Sequence, residues 1–441
     1  MKLGWSSSNP QRRYSDRDLI QIVGAVFLAS SVLTPDRSVE RDVLLETTNI
    51  KVEAKSIFKV FGNKPDNALR LLREGQSKGE IFETTGNTIG VQDASFEVGE
   101  GKIFVVMGLS GSGKSTLVRM INGLIAPTSG QMLIDGTDVA NCSSKTLRDV
   151  RRSKIAMVFQ HFALFPHMTV AENVSYGLKI KGISADERRK KAEEALAQVS
   201  LAAYADSYPD ELSGGMQQRV GLARGLASDA EILLMDEPFS ALDPLIRRDM
   251  QEELLELQRS LKKTIIFITH DLNEALILGD KIAIMKDGRF VQVGTAEEIV
   301  DRPADDYVAA FTADIDRSRV FTAGSVASPA EALDIRIDSA ESAIAKMETL
   351  NRDALHVVDG DAILGIVAYR DLSASLREHD GALRDAIITD YPKVGRTTQL
   401  FELYALAESG LPIAVTDRKG KLMGVVAPQD VFAKLATPVA A

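Results

Sequence analysis

The run Gly108-Leu109-Ser110-Gly111-Ser112-Gly113-Lys114-Ser115-Thr116 satisfies the pattern G-x-x-x-x-G-K-[ST]. It follows the apolar run Ile103–Met107 and precedes a helix predicted over Thr116–Asn122, and strand, loop, helix is the context that the pattern requires. The glycines at 108, 111 and 113 let successive backbone N–H groups converge on β- and γ-phosphates, and the following helix adds its positive end. Lys114 supplies a point charge there, and Ser115 offers a hydroxyl to Mg²⁺. Ile232-Leu233-Leu234-Met235-Asp236-Glu237 ends a short buried strand on two carboxylates. Asp236 is suited to hold Mg²⁺ through its water shell, and Glu237 to polarise a water for in-line attack on a γ-phosphate. Such a base or positioning role is worth about 10²–10⁴-fold in rate. An acid pair that merely closes a strand is the plainer reading, but a phosphate loop in the same chain favours chemistry.

Leu212-Ser213-Gly214-Gly215-Met216 precedes a helix predicted over Gln217–Ala227 and presents a second glycine-exposed helix start, equivalent to about half a positive charge. One triphosphate already has the first loop. The second anion-binding start is therefore read as serving the nucleotide of another copy of the chain.

The elements that must position these groups alternate. Strands are predicted over Val52–Val60, Val91–Phe96, Ile103–Met107, Ile232–Met235 and Thr264–Ile268. Helices are predicted over Asp66–Gly75, up to Thr85, over Lys181–Leu201 and over Met250–Lys263. Gln131–Ile134 with Asp135-Gly136, and Lys281–Met285 with Asp287-Gly288 and Phe290–Val293, carry hairpin signals. This pattern predicts an α/β core: a mostly parallel sheet with an antiparallel portion. Pro303 to Arg319 reads as a boundary. Beyond it, Ala354–Asp359 with Gly365–Leu372 recurs as Pro412–Asp417 with Gly424–Val431, Asp430 standing where Asp371 stood. Each copy reads helix, strand, polar turn, strand, helix.

At 441 residues the chain exceeds what one core usually serves. Its net charge of −10 leaves no basic excess to displace counterions, which argues against nucleic acid as a partner. The single cysteine, Cys142, excludes an intramolecular disulfide and suits a reducing compartment. Leu19–Leu33 is apolar and follows Arg12, Arg13 and Arg17, but as a helix it would reach only about 22 Å, short of the roughly 30 Å hydrocarbon core. It reads as non-spanning. Residues 1–50 are expected to be an extension, either a spurious upstream start or a peripheral amphipathic tail.

With these motifs in place, residues 51–311 resemble the ATP-binding subunits of ABC transporters. Leu212–Met216 looks like their signature motif, although Met216 stands where glutamine is usual. The resemblance implies that Gln160, in Val158-Phe159-Gln160, meets Mg²⁺ and the attacking water. It implies that His270, in Ile268-Thr269-His270-Asp271, contacts the γ-phosphate, and that Ser240-Ala241-Leu242-Asp243 crosses a dimer interface. Phe61 is similar to the aromatic that stacks on adenine, and equally reads as core. On this reading Lys114, Gln160, Glu237 and His270 are catalytic; Phe61, Gly108, Ser110, Gly111, Ser112, Gly113, Lys114, Ser115 and Thr116 bind ATP; Ser213, Gly214 and Gly215 bind it in trans; and Ser115, Gln160 and Asp236 hold Mg²⁺.

The phosphate loop, Tyr208–Met216 and Phe239–Arg247, with the helical insertion between Phe61 and Val91, resemble more closely the ATPase of glycine betaine/L-proline uptake systems. That resemblance implies a P-loop ABC-type domain with a helical subdomain at about 161–210. It also implies a tandem CBS module of α+β type over 320–436, with copies at about 322–376 and 383–436. In such modules a Thr or Ser commonly stands where this chain has Ala368 and Ala427. The implied partners are a second ATPase subunit, integral membrane permeases that dock near Gln160, and indirectly a substrate-binding protein. The implied location is peripheral, at the cytoplasmic face of the inner membrane. Glycine betaine, proline, choline, carnitine and trimethylamine N-oxide remain open as solutes. A soluble ABC ATPase or a nucleotide-sensing regulator are the competing classes, and capture of an integral membrane partner separates them from the transporter reading.

Overall fold

The computed structural model describes residues 49–160, 162–378 and 382–435. The expectations for residues 1–48, including Leu19–Leu33, lie outside them, as does His161, where the predicted helical subdomain begins. Among the described residues no helix is long and apolar enough to cross a membrane.

The first strands in chain order are β1 (Ile50–Phe61), β2 (Thr88–Gly99), β3 (Ile103–Met107), β4 (Ser129–Ile134), β5 (Thr137–Asp138), β6 (Ile155–Val158), β7 (Ile232–Asp236), β8 (Thr264–Thr269), β9 (Lys281–Lys286) and β10 (Arg289–Gly294). Six of them form one sheet in the order β10-β9-β3-β8-β7-β6, parallel except for the edge strand β10. A parallel sheet must be covered on both faces, and the side chains alternate accordingly. Leu233, Met235, Val105, Phe267 and Ile284 enter one core with the helices Val170–Ile180, Ala185–Gln198 and Gly214–Ala227. Ile232, Leu234, Val106, Ile266 and Met285 enter a second core. There they meet the helix Lys114–Ile121 and the antiparallel sheet β2-β1-β4-β5. Burial of each such side chain contributes about 1.5–3 kcal/mol. All the parallel strands therefore end along one edge, where the chemistry-bearing residues follow.

Several helices start earlier than their apolar periodicity predicts. The phosphate-loop helix begins at Lys114 rather than Thr116, and the signature helix at Gly214 rather than Gln217, because Ser213 accepts the Met216 N–H at 3.4 Å and caps it. The helix predicted from Met250 runs over Pro244–Leu261, started by the Asp243 cap with Pro244 in its first turn and ended at Lys262 in the left-handed region. The predicted helix Lys181–Leu201 is shortened to Ala185–Gln198, with Ser184 as its cap. Both predicted hairpins form.

The stretch Pro303–Arg319 is folded rather than open. Val308 of the helix Asp306–Thr312 is fully buried in the main core, and Ile315 packs against both that core and the next one. Beyond it the repeated hairpins pair as expected: Ala354–Asp359 with Ala362–Ala368, and Ile413–Thr416 with Leu422–Val426. Each has a flanking helix on either side, Ala340–Leu350 and Tyr369–Glu378 in one copy, Leu403–Ala407 and Pro428–Leu435 in the other. Short added strands, Ala332–Asp334 in the first and Ser328–Pro329 with Lys393–Gly395 in the second, complete the two small sheets.

His356, on the first repeated hairpin, is 1% exposed and its Nε2 has no hydrogen-bond partner. Burial pushes its pKa down to about 4. Between pH 6.5 and 4 the unfolded chain takes up a proton that the folded chain refuses, so stability falls as pH falls through that window. Lowering the pH from 6.5 to 5 is expected to cost the tail about 1.5 kcal/mol. Urea unfolding read by proteolysis of residues 354–368 measures it, and His356→Leu is expected to flatten the dependence.

Candidate functional site

Four adjacent parallel strands deliver the predicted residues in spatial order. Lys114 and Ser115 follow β3, His270 follows β8, Asp236 ends β7 with Glu237 next in the chain, and Gln160 lies just past β6. Ligands of open α/β sheets bind at this edge.

The loop after β3 depends on glycine. Gly108, Gly111 and Gly113 have φ of 157°, 78° and 108°. A methyl group on Gly108 would lie 2.2 Å from the Met285 carbonyl oxygen, and one on Gly113 would lie 2.5 Å from that of Gly90. On Gly111 it would meet nothing within 4 Å. The Lys114 Nζ donates to the carbonyls of Gly108 at 2.6 Å and Leu109 at 3.1 Å, folding the loop around its own ammonium. The Gly288 N–H donates to the Ser112 carbonyl at 2.8 Å, while the buried Ser112 Oγ has no partner.

The charges face one another at short range. Lys114 Nζ lies 3.9 Å from the Glu237 carboxylate, and the Ser115 hydroxyl donates to Asp236 at 3.3 Å. Burial pushes the Lys114 pKa down, against the pull of Glu237 and Asp236. Burial likewise pushes Asp236 up, offset by the Ser115 hydroxyl and reinforced by Glu237. Each charge is thus held at a cost that an incoming counter-charge relieves: an anion at Lys114, a cation at Asp236. One hydroxyl and one carboxylate oxygen form a hard donor pair that suits Mg²⁺, which takes few protein ligands beside phosphate and water.

His270 Nδ1 lies 2.9 Å from Glu237 Oε2. A carboxylate only accepts, so Nδ1 carries the proton in this contact. Glu237 holds φ of 47°, a strained value for a non-glycine residue. The turn carrying His270 is fixed by Thr269, whose Oγ1 donates to buried Glu274 at 2.6 Å and accepts the Asp271 N–H at 2.9 Å.

Phe61 is 40% exposed and is not core. Its ring lies across Gly90, where a methyl group would be 2.7 Å from the ring and 3.4 Å from the Thr116 methyl. The aromatic and the phosphate-loop helix therefore flank one bare stretch of β2. Gln160 is half-buried at its strand end, and Phe162 and Ala163 just beyond it are both left-handed. Ser213 and Gly214 are exposed; the side chains nearest to a methyl placed on Gly214 or Gly215 are Phe162, Leu242 and Ile246. The structure does not bring them to the phosphate loop of their own chain.

Two contributors are absent from the sequence reading. Arg224, on the signature helix, donates to the carbonyls of Ala163 at 2.6 Å and Phe162 at 2.9 Å, pinning the strained turn after Gln160. Gly90 leaves room for Phe61. A lone arginine in a helix and a lone glycine in a strand carry no local signal.

A phosphate loop, an acid pair, a histidine and a separate glycine-led helix start together define the ATP-binding cassette class, and the ABC transporter family profile matches residues 91–240. The chain is 50% identical over 379 residues to the glycine betaine transport ATP-binding protein of Bacillus subtilis, covering 86% of this chain and 90% of that one. It is 49% identical to the glycine betaine/carnitine transport ATP-binding protein of Listeria monocytogenes, covering 87% and 97%. It is 46% identical to the trimethylamine N-oxide transport system ATP-binding protein of Ruegeria pomeroyi, covering 71% and 93%. The chain belongs to the glycine betaine transport ATP-binding protein family of ABC ATPases.

Gly113→Ala is expected to weaken nucleotide binding more than tenfold, since about 1.4 kcal/mol of loop distortion suffices. Titration with a fluorescent ATP analogue checks it.

Proposed function

We propose that the chain hydrolyses ATP to power import of a quaternary ammonium or similar compatible solute, such as glycine betaine, proline, choline or trimethylamine N-oxide. The observation that carries this reading is the convergence of Lys114, Ser115, Asp236, Glu237 and His270 at adjoining strand ends. Lys114 and the loop amides hold the β- and γ-phosphates. Glu237 orients the attacking water and accepts its proton, and His270, hydrogen-bonded to Glu237, reaches the γ-phosphate. Ser115, Gln160 and Asp236 would hold Mg²⁺, which would supply neutralisation of the phosphate charge.

Ser213, Gly214 and Gly215 complete the nucleotide site of a second copy, a reading supported by the exposure of Ser213 and Gly214 and by the phosphate loop's not lying within 4 Å of a methyl placed on Gly214 or Gly215. ATP then favours closure by its greater affinity for the closed pair. Work passes to integral membrane permeases, supported by a groove of about 680 Å³ beside Gln160 lined by Phe159, Leu164, Phe165, Tyr176 and Ile180. Apolar grooves of this kind accept a partner helix. The protein accordingly sits peripherally on the cytoplasmic face of the inner membrane, served indirectly by a substrate-binding protein. The repeats over 320–436 act as a tandem CBS module that regulates this activity; Asp430 holds its helix start through the Ala427 N–H at 3.3 Å. Residues 51–311 are the ATPase domain.

Glu237→Gln is expected to lower hydrolysis by at least about 10²-fold while ATP-dependent dimerisation persists. Phosphate release and light scattering read the two effects, and normal turnover removes Glu237 from its role. With its permeases in vesicles, the native protein is expected to drive ATP-dependent uptake of labelled glycine betaine or a related solute; hydrolysis indifferent to any permease contradicts coupling.

A further inference from the structure

The insertion between Phe61 and Val91 is a rigid element. Ser77 and Glu80 form a capping box for the helix Lys78–Thr85, whose Ile81 is fully buried, and the helix Pro65–Arg73 contributes buried Ala68, Leu69 and Leu71 to the same small core. Its first residue, Lys78, is thereby fixed in place. The Lys78 ammonium rests on the turn between β9 and β10: a methyl group on Gly288 would lie 2.9 Å from Nζ.

That turn is part of the nucleotide platform. Asp287 and Gly288 are both left-handed, with φ of 50° and 82°. Gln92 clamps them to β2 through its backbone N–H to the Gly288 carbonyl and its side chain to the Asp287 carbonyl, both at 2.7 Å. The Gly288 N–H in turn holds Ser112 of the phosphate loop. The same methyl position on Gly288 is 2.8 Å from the Gly90 carbonyl, and Gly90 is the residue flanked by Phe61 and Thr116. Lys78 therefore stands on the Phe61 side of the loop, with Lys114 enclosed by the loop itself.

Lys78 is half-buried, and among the described residues no carboxylate lies within 4.0 Å of its Nζ. Burial lowers its pKa, and Asp287 acts on it only from a distance. A partly desolvated ammonium without a paired anion, fixed against the phosphate platform, is in place to receive an anion.

We propose that Lys78 is a nucleotide-binding residue that contacts the phosphate nearest the ribose, a second cation brought to ATP by the insertion. The proposal rests on the reading of residues 108–116 as the triphosphate site and of Phe61 as the base contact. With the base at Phe61 and the terminal phosphates at Lys114, the phosphate between them is the one a cation on the Phe61 side meets. A contact there is shared by ATP and ADP, so Lys78 sets affinity for both and does not discriminate the γ-phosphate.

The test is equilibrium binding of Mg-ATP and Mg-ADP to the full-length native protein and to Lys78→Met and Lys78→Arg. Lys78→Met is expected to weaken both nucleotides by about tenfold, with Lys78→Arg within about threefold of native and nucleotide-free melting temperatures unchanged. Unchanged affinity for both nucleotides overturns the proposal while leaving the phosphate-loop reading intact. A loss confined to ATP overturns it too, because the contact would then lie at the γ-phosphate. Failure of the native protein to bind either nucleotide overturns both readings. Should Lys78→Met fail to fold, Lys78→Gln takes its place under the same outcomes.

Discussion

The Lys114 ammonium, 5% exposed and wrapped by the loop that it closes, is the constraint around which the rest is arranged. A buried ammonium is tolerable only with acceptors and opposite charge close by. Here two loop carbonyls meet it directly, and Glu237 stands 3.9 Å away on a strand two places along the sheet. The sheet order makes this possible. β8 lies between β3 and β7, so the residues leaving those strands share one edge, and His270, leaving β8, falls within hydrogen-bond reach of Glu237. Burial pushes Lys114 down and Asp236 up, and Glu237 holds a left-handed conformation. A magnesium-bound triphosphate would bring counter-charge to both Lys114 and Asp236.

Much of this was legible in the residues themselves because the signals were local. Nine consecutive positions fix the phosphate loop, and an apolar run ending on Asp236-Glu237 fixes the acid pair. The hairpin turns at Asp135-Gly136 and Asp287-Gly288 were equally plain. Helix starts were read late at Gly214 and Pro244, since apolar periodicity is silent over a first turn built from glycine or proline and a side-chain cap. Long-range contacts were not legible at all. Nothing near Arg224 announces that it pins the backbone 61 and 62 residues earlier, and nothing near Gly90 announces an aromatic lying across it.

The stretch after Pro303 shows the same limit from the other side. Its composition resembles a linker, yet it is packed: Arg317 and Lys434 both lie over the Phe321 ring and both bond Asp301. The Asp301 carboxyl is held below its usual range, first by the Lys434 hydrogen bond. Leu276, on the helix that follows His270, packs against both the main core and the tail core. The core that holds the second repeat therefore also takes in a residue of the helix after His270.

On the proposed reading each site is half a pocket, completed by the signature helix of a second copy. Disulfide trapping tests this most directly, with Ser110→Cys and Ser213→Cys in one chain that also carries Cys142→Ser and Glu237→Gln. With Mg-ATP and mild oxidant the account predicts a cross-linked dimer, absent without nucleotide. A chain that remains monomeric under saturating Mg-ATP, or that joins the two cysteines within one copy, would contradict it.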